Sequence, residues 1–397
     1  MTHESTALLA ALTAAGEDRI VFDLAGIEAS YTDLLREFPG ITVRFAMKAC
    51  PVDEVISRLA AKGAGIDAAS PQEIIQAIRS GVPVERIHYG NTVKSDRNIA
   101  EAHRLGIRDF ATDSPEDVAA IAAHAPGARV FCRLTTDGHG AVWGLSHKFG
   151  CPPDDAVLVL EKARDAGLRP AGLSVHVGSQ QMTAGAWRDA FDTVLDVLAR
   201  LHERGIALDH VNLGGGLPAL GYLDKWGSPL EPPLDKIFAV IREGMQNCAD
   251  VPGHELHFVM EPGRHLVADH GAIRAHVSRL STRRGPDGEP RHWLYLSCGK
   301  FNGLYEMDAL QYRLVFPTHR GTARVPTVVA GPSCDSDDAY SAEYGLVQVP
   351  EAIASGDPVW VLSSGAYAVS YMTQGFNGIS PLPHICIPGP STEGADR

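Results

Sequence analysis

The feature that most restricts this chain is a repeated alternation: between Ile41 and His270, short β-branched runs recur, each followed by a longer amphipathic stretch. Such alternation marks βα units around a parallel sheet, because a strand buried on both faces reads as a short apolar run while a covering helix keeps a polar face. ITVRFAM (41–47), GIDAA (65–69), RIHYG (86–90), IRDFAT (107–112), RVFCRL (129–134), LSVHVG (173–178), HVNLGG (210–215) and HFVMEPG (257–263) are read as eight strands. Eight such units predict a closed barrel. PVDEVISRLAAKG, SPQEIIQAIRSG and SPEDVAAIAAHA are read as helices, the last two opening on Ser-Pro with acids in the first turn.

Beyond Ala272 the runs AIRAHVSRL, HWLYLSCG, TVVAGPS and PVWVLSSGAY lie between Gly/Pro turns with no long helix among them. The expected fold class is therefore α/β: an N-terminal (β/α)8 barrel over 28–271, then a C-terminal, mostly-β domain over 272–397. Residues 1–27 are expected to join the second domain through RIVFDLAGI (19–27). The tail PGPSTEGADR is expected to be disordered.

Composition narrows the partners. A net charge of −13, from 35 Lys+Arg against 48 Asp+Glu, disfavours nucleic acid and anionic membranes and leaves a small molecule. The start carries acids rather than a basic region, and no run of 18 apolar residues occurs, so a cytoplasmic protein is expected. The seven cysteines lack CxxC spacing and are each expected to be buried thiols, without a disulfide framework or structural zinc. His139, His147, His254, His257, His265 and His270 form no HExxH pair, so no metal site is expected.

In a barrel, chemistry collects at the C-terminal ends of strands. The polar residues there are Lys48, Asp67, Arg133, His176, Ser179, Gly214, Gly215, Gly216, Glu261 and Arg264. Lys48 follows Phe45, Ala46 and Met47, where desolvation is expected to lower its pKa and ready the amine for imine formation; a salt-bridged lysine is the alternative. The triple glycine would let backbone N–H groups approach a phosphate, or be a plain tight turn. Glu261 suits a protonated ring nitrogen and Arg264 a phosphate or carboxylate, against the plainer reading of an internal salt bridge. His176 is either stacked on a flat ring or a satisfied core histidine. In the second region GPSCDSDD (331–338) sets carboxylates around Cys334, read as either a site loop or a solvated acidic turn.

In order along the chain, FAMKACP, DAASPQE, WGLSHKFGC, SVHVGSQ, NLGGGLP, EPGRHLVA, LSCGKFNGLYE, AGPSCDSDD and SSGAYAVSY with GFNG resemble the fold-type III, alanine-racemase-like decarboxylases that use pyridoxal 5′-phosphate (PLP), in particular the ornithine/lysine decarboxylase group. The resemblance implies that Lys48 is the Schiff-base lysine, that His176 stacks on the PLP ring and that Glu261 partners its nitrogen. Ser179, Gly214, Gly215, Gly216, Gly263, Arg264 and Tyr367 are implied as the phosphate cradle, with Asp67 and Arg133 in support. Cys334 is implied as the thiol returning a proton to Cα, Asp335 as the carboxylate holding the distal amine, and Glu306 and Phe376 as pocket residues. It further implies a head-to-tail homodimer in which Cys334 and Asp335 act across the interface.

The chain departs from that group's pattern in GLYEMDAL, in CDSDDAYSAEYGL and at Ser297-Cys298, where an aspartate is usual, so Glu306, Asp308, Asp338 and Glu343 are read as able to adjust the pocket. The implied reaction is decarboxylation of a basic amino acid, ornithine or lysine, with arginine, citrulline, diaminobutyrate or another pathway-specific amino acid as alternatives. Diaminopimelate decarboxylase shares HVGSQ and EPGR but resembles this chain less in its Cys-Glu-Ser motif. A racemase would need a second base facing Lys48, and a catalytically silent decarboxylase-binding regulator would have lost cofactor residues that are all present here.

Overall fold

The computed structural model describes residues 5–389 apart from Ser146, His147, Pro286, Ala342 and Tyr344; most of the tail, and parts of WGLSHKFGC and SAEYGL, lie outside the described residues. Its strands are β1 (Arg19–Asp23), β2 (Thr42–Ala46), β3 (Gly65–Ala68), β4 (Ile87–Tyr89), β5 (Asp109–Thr112), β6 (Arg129–Arg133), β7 (Ala141–Trp143), β8 (Arg169–Ser174), β9 (Ser179–Gln181), β10 (His210–Asn212) and β11 (His257–Met260). There follow β12 (Gly271–Arg284), β13 (Pro290–Leu296), β14 (Leu314–Val315), β15 (Arg324–Ala330), β16 (Val347–Pro350), β17 (Pro358–Val361) and β18 (His384–Ile387).

Strands β2, β3, β4, β5, β6, β8, β10 and β11 close into a parallel barrel. Every run read as a strand contributes one. The sixth sits earlier than expected, at 169–174 rather than 173–178: the β-branched run continues past the sheet because Val175 to Gly178 turn across the barrel mouth into β9. The β9–β7 ribbon went unread in the sequence.

Helices 71–79 and 115–124 start where Ser-Pro predicts. Ser70 and Ser114 accept the N–H groups of Glu73 and Asp117, and the following prolines, which have no N–H to satisfy, occupy the first helical position. The second region forms a sheet in the order β14-β17-β12-β13-β15-β16, and β1 joins it by pairing with both β12 and β18. Among the described residues no helix is long and apolar enough to cross a membrane.

Side chains alternate along a strand, so in a barrel every second residue points inward. Here the inward set includes several charged side chains. At the N-terminal end of the barrel, Arg129 donates to Asp109 (2.5 Å) and, as a fork, to both oxygens of Asp209 (2.7 and 2.9 Å); Arg44 and Arg169 add contacts to the same two carboxylates. Higher up, Phe131 packs between the rings of His88 and His210. The C-terminal layer, described next, brings Lys48, Asp67, His88 and Glu261 together.

Candidate active site

β2 ends in a single turn, Met47–Ala49, that places Lys48 at the barrel mouth. Its Nζ lies 3.6 Å from Asp67 on the neighbouring strand β3, and the lysine side chain is half-exposed while the aspartate is buried. Desolvation by the surrounding barrel mouth, partial because the side chain is half-exposed, disfavours the ammonium, but Asp67 first, then Tyr367 and Glu261, outweigh it and hold the amine above its ordinary value. The expected lowering by desolvation is thus reversed: polar neighbours on adjacent strands, which the flanking Phe45, Ala46 and Met47 do not reveal, decide the sign. Asp67 answers in kind; despite burial, Lys48 and then His88 hold its carboxyl below the usual range.

Lys48, His176, Ser179, Gly215, Gly216, Glu261, Gly263, Arg264 and Tyr367 line one small cavity at the mouth. His176 accepts a hydrogen bond from the Gly178 N–H through Nδ1 (3.0 Å), which keeps that nitrogen unprotonated. Burial, aided by Arg133 and Lys48, pushes its pKa down to about 3, so the ring is neutral at physiological pH. Arg133 is the nearby cation whose own pKa burial lowers.

The triple glycine is required by its surroundings. Gly214 and Gly216 adopt positive φ (65° and 111°), and a Cβ on Gly215 would come within 3.0 Å of the Glu261 carbonyl and 3.2 Å of His176 Nε2. Asn212 braces this loop, accepting from Gly214 N–H (2.9 Å) and donating to Glu261 Oε1 (2.5 Å). Tyr367, a bulky residue at φ 61°, is held by its N–H on the Ala49 carbonyl (2.7 Å), next to Lys48. Such a conformation costs about 1–3 kcal/mol and persists only where surrounding contacts enforce it.

Arg264 is buried and fully engaged. It forks onto both oxygens of Glu306 (2.6 Å each), donates to Tyr222 Oη (2.9 Å) and reaches Ser179 Oγ at 3.2–3.3 Å, with its guanidinium 4.3 Å from the centre of the Trp143 ring. Glu306, expected at the substrate, is instead the counter-charge of Arg264, because both oxygens are spent there and the side chain is buried. Asp338 is likewise a structural residue: buried, it accepts the N–H groups of Lys300 (2.6 Å) and Ser333 (2.9 Å) and so shapes its loop.

Cys334, Asp335 and Phe376 do not line the cavity around Lys48. Their loops adjoin each other, since Cys334 N–H donates to Asn377 Oδ1 (2.9 Å), and Phe376 packs on Phe301 with ring centres 4.3 Å apart. Cys334 is exposed and Cys386 half-buried, whereas the other five thiols are buried, correcting the expectation of seven buried cysteines.

His88, Asn212, Tyr222 and Trp143 were missed in the sequence. His88 sits mid-strand in RIHYG, a polar side chain inside an apolar run, and that was the available signal.

This donor set suits a phosphorylated pyridine: an amine, a carboxylate for a ring nitrogen, a neutral imidazole, and a glycine loop packed too closely against neighbouring backbone to admit a Cβ. Comparison with known proteins agrees. The family described as pyridoxal-dependent decarboxylase, pyridoxal binding domain, matches residues 24–268. The lysine/ornithine decarboxylase of Selenomonas ruminantium is 30% identical over 371 residues, covering 92% of this chain and 88% of the relative. The ornithine decarboxylase of Schizosaccharomyces pombe is 27% identical over 375 residues, covering 91% and 82%. Among solved structures, the lysine/ornithine decarboxylase of Vibrio vulnificus complexed with putrescine superposes with a TM-score of 0.82 at 27% identity, covering 96% of this chain and 97% of the other. SrLDC in complex with PLP and cadaverine gives 0.81 at 28%, covering 96% and 94%. The chain belongs to the pyridoxal-dependent decarboxylases of fold-type III, and pyridoxal 5′-phosphate is its cofactor.

Proposed function

We propose that this enzyme decarboxylates a basic amino acid, ornithine or lysine, to the corresponding amine and CO2. The observation that carries the reading is Lys48 at the barrel mouth, paired with Asp67 at 3.6 Å and sharing one cavity with His176, Glu261 and the glycine cradle. The bound cofactor supplies an electron sink for the pair left at Cα when CO2 departs.

Lys48 is the residue that carries the cofactor, and Asp67 balances its charge. Glu261 would serve the ring nitrogen of the bound cofactor, and His176, neutral, would offer the ring a flat partner. Ser179, Gly214, Gly215, Gly216, Gly263 and Tyr367 receive the phosphate, with Arg264 contributing charge from behind Ser179. Arg133 adds positive potential near His176 and Lys48.

Cys334 returns a proton to Cα and Asp335 holds the distal ammonium, with Phe376 beside them, each serving the site of a second copy in a homodimer. Supporting this arrangement, Cys334 is exposed in the single chain, its loop does not line the Lys48 cavity, and Tyr305 (44% exposed) and Tyr371 (45%) present an aromatic pair to the outside near Tyr367. Aromatic residues of this kind are enriched at protein interfaces.

The test is CO2 release by the PLP-loaded protein from L- and D-ornithine, lysine, arginine, citrulline, diaminobutyrate and diaminopimelate. One preferred dibasic substrate is expected; preference for diaminopimelate, or no release from any, would overturn the reading. For the shared site, the inactive Lys48→Ala protein and the Asp335→Ala protein, assayed at a substrate concentration far below the raised KM of the latter, are mixed and allowed to exchange subunits. Random pairing leaves one intact site in half of the dimers and restores about a quarter of wild-type activity, whereas no recovery after proven exchange would place Asp335 in the site of its own chain.

A further inference from the structure

His88 lies on β4 with its side chain in the barrel, 1% exposed, and no step described above uses it. Its Nε2 is 2.9 Å from Glu261 Oε1 and 3.2 Å from Asp67 Oδ1. Two carboxylate acceptors on one nitrogen require that this nitrogen carry the proton. Both hydrogen bonds also favour the charged imidazolium, against the opposing effects of burial and of Arg44.

Two further details give the contact direction. Asn212 and His88 both hold Glu261 by Oε1, and among the described residues Oε2 makes no hydrogen bond. Asp67 divides its oxygens in the same way, Oδ1 to His88 and Oδ2 to Lys48. Space for this is made in the backbone: a Cβ at Gly90 would collide with Asp67 Oδ1 and lie 3.3 Å from His88 Nε2. The register of β3 and β4 sets Asp67 opposite His88, so the bridge is fixed by strand pairing rather than by a mobile loop.

We propose that His88 is a positioning residue for the decarboxylation, coupling the counter-ion of Lys48 to the carboxylate that faces the ring nitrogen. It pins Glu261 through one oxygen so that the other is presented to the cavity, and it keeps Asp67 turned toward Lys48. This rests on the assignment of PLP to the cavity around Lys48. His88 touches neither substrate nor cofactor; it acts through Glu261 and Asp67.

The test compares His88→Gln with His88→Asn, two polar variants of similar size. A glutamine amide nitrogen reaches the place of Nε2, and an asparagine amide nitrogen stops at the place of Nδ1. Apo-protein is titrated with PLP by absorbance and tryptophan fluorescence, kcat and KM are measured on the loaded enzyme, and melting of the apo-protein is followed by circular dichroism. His88→Asn is expected to weaken PLP binding and lower kcat, each by about tenfold, as loss of a group that orients a ligand-holding residue does, with KM within about twofold. His88→Gln is expected to recover both to within about threefold of wild type. Wild-type PLP affinity and kcat in His88→Asn would overturn the proposal, as would equal losses in both variants with matched melting. Failure of the wild-type protein to bind PLP would instead overturn the cofactor assignment on which the proposal stands.

Discussion

Removing the Glu306 carboxylate should leave a buried guanidinium without its counter-charge. In Glu306→Ala, Arg264 loses two charge-assisted hydrogen bonds of 2.6 Å in a place where the two side chains are only 4% and 7% exposed. Among the described residues Tyr222 and Ser179 remain as its hydrogen-bond partners and the Trp143 ring as a neighbour, and none of them carries charge. Breaking a buried pair from one side costs about 3–5 kcal/mol, because the desolvation of the surviving ion is no longer offset. With an unfolding entropy of about 2.1 cal/mol/K per residue over 397 residues, that is a fall of about 4–6 °C in the Tm of the apo-protein, read by calorimetry or circular dichroism. The double variant Arg264→Met, Glu306→Leu removes both charges and should recover most of the loss, since apolar replacement of a whole buried pair is close to neutral. It should nevertheless bind PLP more weakly. A Glu306→Ala protein melting within about 1 °C of wild type would refute the reasoning, by showing that Arg264 is balanced elsewhere.

Replacing His176 by Phe should flatten the acid side of the stability profile. A histidine held down to about 3 in the fold is neutral there, so its contribution is complete above its unfolded value near 6.5 and is lost as pH falls from there; an unchanged slope between pH 6.5 and 4 would count against it. Arg129→Met should cost about 2–3 kcal/mol in urea unfolding by releasing Asp109 and Asp209, and Arg129→Lys should recover little, because one ammonium cannot make the fork; equal stability of Lys and wild type would refute the geometry. Asp335→Ala should raise KM for a diamino acid far more than it lowers kcat, and unchanged kinetics would remove it from the substrate site.

The barrel was legible because its signal is periodic and repeated, and the helix starts at Ser70 and Ser114 because capping is local. The residues at strand ends were legible for the same reason: position in a barrel announces itself at the boundary of an apolar run. What was not legible depends on contacts between strands. The pKa of Lys48 follows from Asp67 across the β2–β3 pair rather than from its own flanks. Glu306 reads as a pocket acid until Arg264 is seen to hold it, 42 residues away in sequence. His88 was passed over because it stands inside its strand, where an apolar neighbourhood suggests core and the register with Asp67 is invisible. The sixth strand was displaced because β propensity in Val175 and Val177 says nothing about where the sheet stops.

The placement of β1 sets an order on biosynthesis. All eight barrel strands lie between Thr42 and Met260, so the barrel can close as soon as that span has left the ribosome. Strand β1 emerges ahead of it, yet Val21 pairs with Ala272 on one side and Ile385 on the other. RIVFD therefore waits for β12 until the barrel is out and for β18, on its other side, until nearly the whole chain is made, as an apolar edge of the kind that seeks other strands. Nascent chains of this protein carry that open edge throughout the interval, and slowing elongation after the barrel is complete prolongs it.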